Sequence, residues 1–561
     1  MVGRSPGRAG LLAALLIAAC SSKSEVKQGG GGSNTKAPPP TFTLFALAEM
    51  RGQIGPCGCT SDPLGDLART AKLIEEARAA GPVLVLDAGS LLYSKNPVPP
   101  HLDAQEDLKA DLLVNTYKDA LMVAAIGLGP ADLAKGPDKL RLPRQVVNVA
   151  PDAKVSAEAP KILDVGGAKV GVFGVIAEGA VPGLAVTDPV AASKAAIKDL
   201  EAKGAQIVVG LVQAPSKRDA VKLVRDIGDL DLAIAGLGAT APEPERVEVE
   251  ATKVGDAWMV IPANRGQVLS RIDVTMRGAG QLADAVGAGA ATAKIAVIDR
   301  ELSALDADLA KFAADKDADK AFVAQKQRER DDLAKERARL KANPLVIPAS
   351  GNYFTLDQVR INKTLACNTG VQDAVTAFNQ AAGDINLKAA ATKPVIPPAK
   401  GQAGYVGSEA CADCHDEAAE FWKTTRHAGA WETLEKRGQQ KDFECVGCHV
   451  TGWEQPGGST LAFNEPLRDV QCETCHGPGS IHIKTEDKAA ITLRPREDLC
   501  ATQCHTKEHS DTFDLKPYLR DVVGPGHGEA LRKELGDGPT GHELRKAALD
   551  KAGRMGPGCI R

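Results

Sequence analysis

Cys-x-x-Cys-His occurs three times in quick succession near the end of this 561-residue chain, at Cys411–His415, Cys445–His449 and Cys472–His476, and a stretched variant follows at Cys500–His505. In such a motif two thiols add to the vinyl groups of a porphyrin while the adjacent imidazole becomes an iron ligand, so each copy is predicted to hold one covalent haem c. The attachment residues are then Cys411, Cys414, Cys445, Cys448, Cys472, Cys475, Cys500 and Cys504, and the proximal ligands His415, His449, His476 and His505. Structural zinc sites and disulfide frameworks also use paired cysteines, but neither gives a reason for His to follow the second Cys immediately. The region is short and poor in aromatics for such a load, so the porphyrins must supply much of its apolar core, and it is predicted not to fold without them. Three residues separate the thiols of Cys500 and Cys504, so the backbone there is expected to bulge.

No Met lies between Met276 and Met555, which removes Met/His ligation as a choice for these irons. The sixth ligands are expected from His427, His482, His509 and His527, while His542 sits in a charged, helix-like stretch that reads as surface. Bis-His irons are closed to substrate and pass electrons. An iron left without a distal imidazole would have an open face, and chemistry on a small nitrogen or sulfur compound becomes the alternative reading.

Residues 1–20 read as an export signal, with Arg4 and Arg8, an apolar run from Leu11 to Ala19, and a small-residue site ending at Cys20. The pattern is similar to a bacterial lipoprotein signal. That resemblance implies a lipidated Cys20 and anchorage at the periplasmic face of a membrane, the outer membrane being expected. Residues 21–40, with Gly29–Gly32 and Pro38–Pro40, form a flexible tether. No later stretch is apolar enough to span a bilayer. A formal net charge of −4 with no basic concentration argues against nucleic acid as partner. Redox partner proteins or quinol-linked donors are the expected partners.

Of 13 cysteines, Cys20 and the eight haem-type thiols leave Cys57, Cys59, Cys367 and Cys559. Cys57-Gly58-Cys59 is too tight for an unstrained bridge between its own members, so a bond from this pair to Cys367 is expected, with a reactive dithiol as the alternative.

From 41 to 277 the chain alternates strand-like and helix-like segments. The strand-like ones are 41–48, 82–87, 121–126, 146–149, 169–176, 207–212 and 232–235. Asp188-Pro189 reads as a helix start with Gly204 closing that helix, and Ser216 with Asp219 as a capping box. Leu64–Arg69, Leu84–Gly89 and Val147–Val149 resemble motifs of the calcineurin-like metallophosphoesterase fold in the 5′-nucleotidase and UDP-sugar hydrolase family. The resemblance implies an α/β sandwich. Where that family carries metal ligands, however, this chain has Glu49-Met50-Arg51-Gly52, Gly89-Ser90, Gly127-Leu128-Gly129-Pro130, Gln213 and Leu237. Residues 1–404 contain one histidine, His101, too few for a dinuclear site. Hydrolysis is therefore disfavoured, no catalytic residue is assigned, and a degenerate binding or docking domain is expected.

Ile295, Ile298, Leu302, Leu305, Leu309 and Phe312 form a heptad seam within 290–343. With a turn at Asp315–Lys320 and Val323, Leu333 and Leu340 returning, an antiparallel helical hairpin is expected, preferred over a dimerising coiled coil. Residues 344–393 read as a mixed connecting segment with a strand at 352–361 and a short helix at 372–381. The Pro-rich stretch 394–404 reads as a linker, 405–530 as the haem region and 531–561 as a charged tail. Tyr405–Ser408, Trp422 leading to His427, Val470–Ser480 and Gly524–Gly528 resemble the recurring blocks of the tetrahaem cytochrome c-554 family. The whole is thus expected to be multidomain: a metallophosphoesterase-type α/β sandwich, a helical hairpin, and a mostly α, haem-packed multihaem cytochrome c region that transfers electrons.

Overall fold

The computed structural model describes residues 41–559 apart from 57–58, 279, 286, 315–319 and 345–346. The expected export signal with Cys20, the expected tether, Cys57 and residues 315–319 of the expected turn lie outside the described residues. Two six-stranded mixed sheets form the first part of the molecule. The first sheet uses β1 (Phe42–Leu47), β2 (Val83–Asp87) and β3 (Ala125–Ile126). After a small separate pair, β4 (Arg144–Gln145) and β5 (Ala157–Glu158), the second sheet takes β6 (Lys161–Val165), β7 (Ala168–Ile176), β8 (Ile207–Gln213), β9 (Leu232–Gly236), β10 (Thr252–Val254) and β11 (Ala257–Val260). The chain then returns to the first sheet with β12 (Val268–Thr275), β13 (Leu282–Asp284) and β14 (Asn352–Arg360). The orders are β13-β14-β12-β1-β2-β3 and β10-β11-β9-β8-β7-β6, with β1, β2 and β3 parallel and β7, β8 and β9 parallel.

Period-two patterning explains why both faces of the sheets are covered. Leu44 and Ala46 of β1 meet Val170 and Val172 of β7 between the sheets, while Phe45 and Leu47 point the other way. The outer face of the first sheet is covered by α1 (Leu67–Ala80) and α2 (Asp103–Asp119), that of the second by α3 (Pro189–Ala202) and α4 (Lys217–Ile227). The result is a four-layer α/β/β/α sandwich. Asp188 caps α3 through the amides of Val190 and Ala191, and Ser216 caps α4 through that of Asp219, as expected. The segment 146–149 is not a strand but makes a single bridge at Val149, and only the last two residues of 121–126 pair.

α5 (Ala288–Ala314) and α6 (Lys320–Ala342) form the expected hairpin, with Ile295, Ile298, Leu302, Leu333 and Leu340 in one cluster. Residues 344–393 are not a connector. β14 lies between β12 and β13, and α7 (Thr369–Ala391), twice the expected length, packs Val371 and Val375 into the core formed with α1 and α2.

Two further expectations are corrected. Cys367 bonds to Cys559, not to the Cys57–Cys59 pair; the Cys367 amide already meets the Pro557 carbonyl at 2.9 Å, which seats the chain end beside α7. Nor is 394–404 a free linker: Gly457 N–H donates to the Ile396 carbonyl at 2.7 Å, and Gly404 exchanges bonds with Ser480. The tail at 531–561 forms helices Glu529–Leu535 and Gly541–Lys551, and Arg545 of the second reaches back to the carbonyls of Cys59 and Thr60.

Candidate functional site

Each Cys/His motif rides on one helical turn: Ser408–Ala412, Phe443–Val446, Cys472–His476 and Asp498–Gln503. Residues three or four apart on a turn share a side, so both thiols of a motif are presented together. In the first motif the amides of Cys414 and His415 reach the Cys411 carbonyl at 3.3 and 3.0 Å. In the fourth, Cys504 and His505 reach the Cys500 carbonyl at 3.3 and 2.7 Å. The expected bulge takes the form of a widened turn: the His505 amide reaches back five residues to Cys500, one more than His415 does to Cys411, and Cys504 leaves the helical conformation.

The imidazoles come in pairs. His415 and His482 have ring centres 6.4 Å apart with planes 22° from parallel; His505 and His427 are 6.3 Å apart with planes at 36°. Two imidazoles on opposite sides of one iron, with metal–nitrogen bonds of about 2 Å, place their ring centres roughly 6.3 Å apart. His476 stands close enough to His527 to act on it electrostatically. Among the described residues no second imidazole pairs with His449. His509, among the expected ligands, is exposed and opposes no motif histidine among the described residues; its amide bonds the Thr506 carbonyl in a short turn. His542 is exposed as well.

Backbone acceptors fix the protonation of these rings. The Nδ1 atoms of His449, His476 and His482 lie 2.6, 2.7 and 2.9 Å from the carbonyls of Ala430, Thr492 and Asp487. A carbonyl only accepts, so Nδ1 carries the proton and Nε2 keeps its lone pair for a metal. His505 Nδ1 meets Ser510 Oγ at 3.1 Å. Burial pushes His427 and His449 below the usual imidazole range, and His505 down to about 4 through burial first and His427 second, which keeps these rings in the neutral, metal-binding form. Sequence reasoning could not find Ala430, Thr492 or Asp487, since they act through their carbonyls.

The thiols of Cys411 and Cys472 are near enough to act on one another, as are those of Cys448 and Cys504, and Cys475 is within electrostatic range of Cys500 and Cys504. Burial pushes Cys475 up to about 11. The motifs therefore associate as first with third and second with fourth, joined between third and fourth. Thiols held in pairs on turns, with two pairs of imidazole rings set 6.3 and 6.4 Å apart, the span of one iron, fit covalent haem.

The sandwich abuts the second and fourth motifs. Asp511 accepts from the Ser61 amide at 2.9 Å and from the Ser61 hydroxyl, and pairs with Arg545 at 2.9 Å. Arg265 pairs with Glu508, His101 packs edge-on against Phe443, and Asn386 of α7 donates to Gln105 at 2.6 Å and to the Lys441 carbonyl at 3.2 Å. Cys59 is exposed with a free thiol and lies close to Cys445.

At the strand ends of the sandwich, the positions that resemblance would give to metal ligands form a buried polar knot in which Glu49 Oε2, Gln213 Oε1 and Ser90 Oγ are left without a hydrogen-bond partner. Glu49 Oε1 accepts from Gln213 Nε2 at 2.7 Å and Gly238 N at 2.8 Å, and burial raises the Glu49 carboxyl above its ordinary range. A Cβ at Gly236 would stand 2.5 Å from Gln213 Oε1 and 2.9 Å from Glu49 Oε1, so the knot needs glycine there. Among the described residues no three His, Cys, Asp or Glu side chains converge to hold a metal ion.

Comparison with known proteins follows the same division. The family of cytochrome c554 and c-prime matches residues 410–477. Cytochrome c-554 of Nitrosomonas europaea is 42% identical over 93 residues, which cover 14% of this chain and 40% of the relative, so the chain spans less than half of that protein. The reduced-state structure of cytochrome c554 from the same organism is 40% identical over 14% of this chain and 45% of its own, with a TM-score of 0.13. Among solved structures similar to the sandwich, a 5′-nucleotidase precursor from Thermus thermophilus is 16% identical over 71% of this chain and 68% of its own, with a TM-score of 0.41. The C-terminal region matches the cytochrome c554 family, and the N-terminal region is an α/β sandwich of two mixed sheets.

Proposed function

We propose that this chain is an exported, lipid-anchored electron-transfer protein carrying four covalent haems c. Three irons have paired imidazoles, His415 with His482, His476 with His527 and His505 with His427, and the second has His449 alone. The observation that carries this reading is the pairing itself: two motif imidazoles, His415 and His505, stand opposite a histidine from outside the motifs at the separation one iron requires, and a third, His476, has His527 within electrostatic range.

Bound haem supplies a one-electron couple. The chain's part is to orient the Nε2 atoms of His449, His476, His482 and His505 through the Nδ1 bonds behind them, to bury rings such as His427, His449 and His505 so that they stay neutral, and to set the motifs close together. The nearness of these thiols supports a path running first, third, fourth, second. Electrons would enter from redox partner proteins or quinol-linked donors at the periplasmic face of the outer membrane, where a lipidated Cys20 would tether the molecule.

One observation favours a second activity: the unopposed His449 leaves room for a small nitrogen or sulfur compound at the second iron. Hydrolysis of phosphoesters is not supported, since Glu49 and Gln213 occupy each other. The test is a haem count and optical spectrum on protein matured in an export-competent host, followed by carbon monoxide addition to the reduced form. Four haems with one responding to carbon monoxide are expected. A colourless product refutes the proposal, and four haems with no response reduce it to electron transfer alone.

A further inference from the structure

Glu473 lies between the two thiols of the third motif and is 2% exposed. It forms none of the ion pairs found among the described residues. All of its hydrogen bonds come from backbone amides: Val406 N reaches both oxygens at 3.1 and 3.0 Å, Gly407 N reaches Oε2 at 2.8 Å, and Gly479 N reaches Oε1 at 2.7 Å. Amide donors satisfy a buried carboxylate without neutralising it, so a full negative charge stays inside the haem region.

The three donors are not scattered. Val406 and Gly407 lead directly into the turn Ser408–Ala412, which presents Cys411 ahead of His415. Gly479 leads into Ser480–Thr485, which presents His482, the imidazole opposite His415. One side chain of the third motif therefore anchors both arms that converge on the first iron. Gln471, on the other side of Cys472, adds to the clamp: its Oε1 accepts from Ser408 N at 2.7 Å, and its Nε2 donates to the carbonyls of Pro466 and Arg468 at 3.0 and 2.8 Å. The same carboxylate is near enough to Cys411 and Cys472 to act on both thiols.

We propose that Glu473 is the positioning residue that joins the first and third haem sites, and that its buried charge holds both of their irons toward the ferric state. A fixed anion in a region of low dielectric stabilises the more positive oxidation state of any metal close to it, and the effect falls with distance. The first and third haems are thereby the low-potential end of the path, and they move together because one charge serves both. This rests on haem being attached at those motifs.

The experiment is a redox titration of the four-haem protein followed haem by haem, with Glu473→Gln and Glu473→Asp beside the wild type. Glu473→Gln is expected to shift the first and third midpoints positive, to leave the second and fourth in place, and to alter the low-spin electron paramagnetic resonance signal of the first haem. Glu473→Asp, which keeps the charge, restores the midpoints toward wild type. Unmoved midpoints in Glu473→Gln, or an equal shift of all four, overturn the proposal. If Glu473→Gln does not mature, the wild type carries the test: the first and third haems must titrate below the fourth, the other bis-imidazole site, and the reverse order overturns it. A haem count of zero in the wild type would instead be a failure of the attachment reading.

Discussion

Replacing Cys367 and Cys559 together by alanine removes a cross-link between residues 192 apart in sequence. In the chain-entropy description, freeing a loop of that length restores about 5 kcal/mol of conformational freedom to the unfolded chain at 25 °C. The folded side changes little. Cys367 is buried but small, its amide keeps the 2.9 Å bond to the Pro557 carbonyl, and Gly556 N keeps its 2.8 Å bond to the Lys363 carbonyl, so the chain end stays docked. Residual structure in the denatured chain trims the gain, and a loss of about 3 to 5 kcal/mol is expected. With a urea dependence of about 3 kcal/mol per molar, the midpoint should fall by roughly 1 M or more. The assay is urea unfolding of the haem-loaded protein followed by far-ultraviolet circular dichroism, with wild type plus reductant as a second comparison. Equal midpoints would refute the reasoning, because the bond would then constrain nothing that the unfolded chain does not already lose.

Other outcomes can be stated more briefly. His482→Ala should convert one haem of the four from low to high spin and open it to carbon monoxide, while His509→Ala leaves the spectrum unchanged; the reverse would put the wrong histidine on the first iron. Cys500→Ser should leave the fourth haem on a single thioether and move the haemochrome band toward longer wavelength, and an unaltered spectrum would mean that Cys500 holds no haem. Burial first pushes Asp87 up to about 7 from an ordinary 3.8, against the bonds it accepts from Tyr117 and Gly89. Between those values the folded state keeps a proton that the unfolded chain has released, so stability is greatest at the acid end and falls as pH rises, by up to roughly 4 kcal/mol across the window. Asp87→Asn should flatten that part of the stability profile, and matching slopes in variant and wild type would count against it.

The motif cysteines and histidines are legible because covalent attachment demands a fixed local spacing, and local spacing survives in a sequence. The distal partners are legible only as a shortlist. His427, His482 and His527 meet their proximal rings through long-range packing, and His509 can be set aside only once its exposure is known. The long strands β7 and β8 announce themselves as near-continuous apolar runs, broken only by Lys169 at the start of one and Gln213 at the end of the other, whereas β12, with Arg271 and Asp273 on its half-buried face, does not. β14 and α7 read as a connector because nothing local says that a strand beyond a hairpin of two long helices returns to the sheet the chain had left. The Cys367–Cys559 bond escapes the sequence for the same reason: pairing is a property of the closed fold.

Helix α7 bears on how this molecule can be divided. Its 23 residues span about 35 Å, with Val371 and Val375 at one end inside the sandwich and Ala390 at the other packed on Trp431, Leu434 and Val446 beside the second motif. A fragment begun at the proline-rich stretch would strip that wall and leave an indole and two aliphatic side chains facing water. The smallest piece able to stand as a cytochrome therefore starts before residue 369 and carries a rod of the neighbouring sandwich with it.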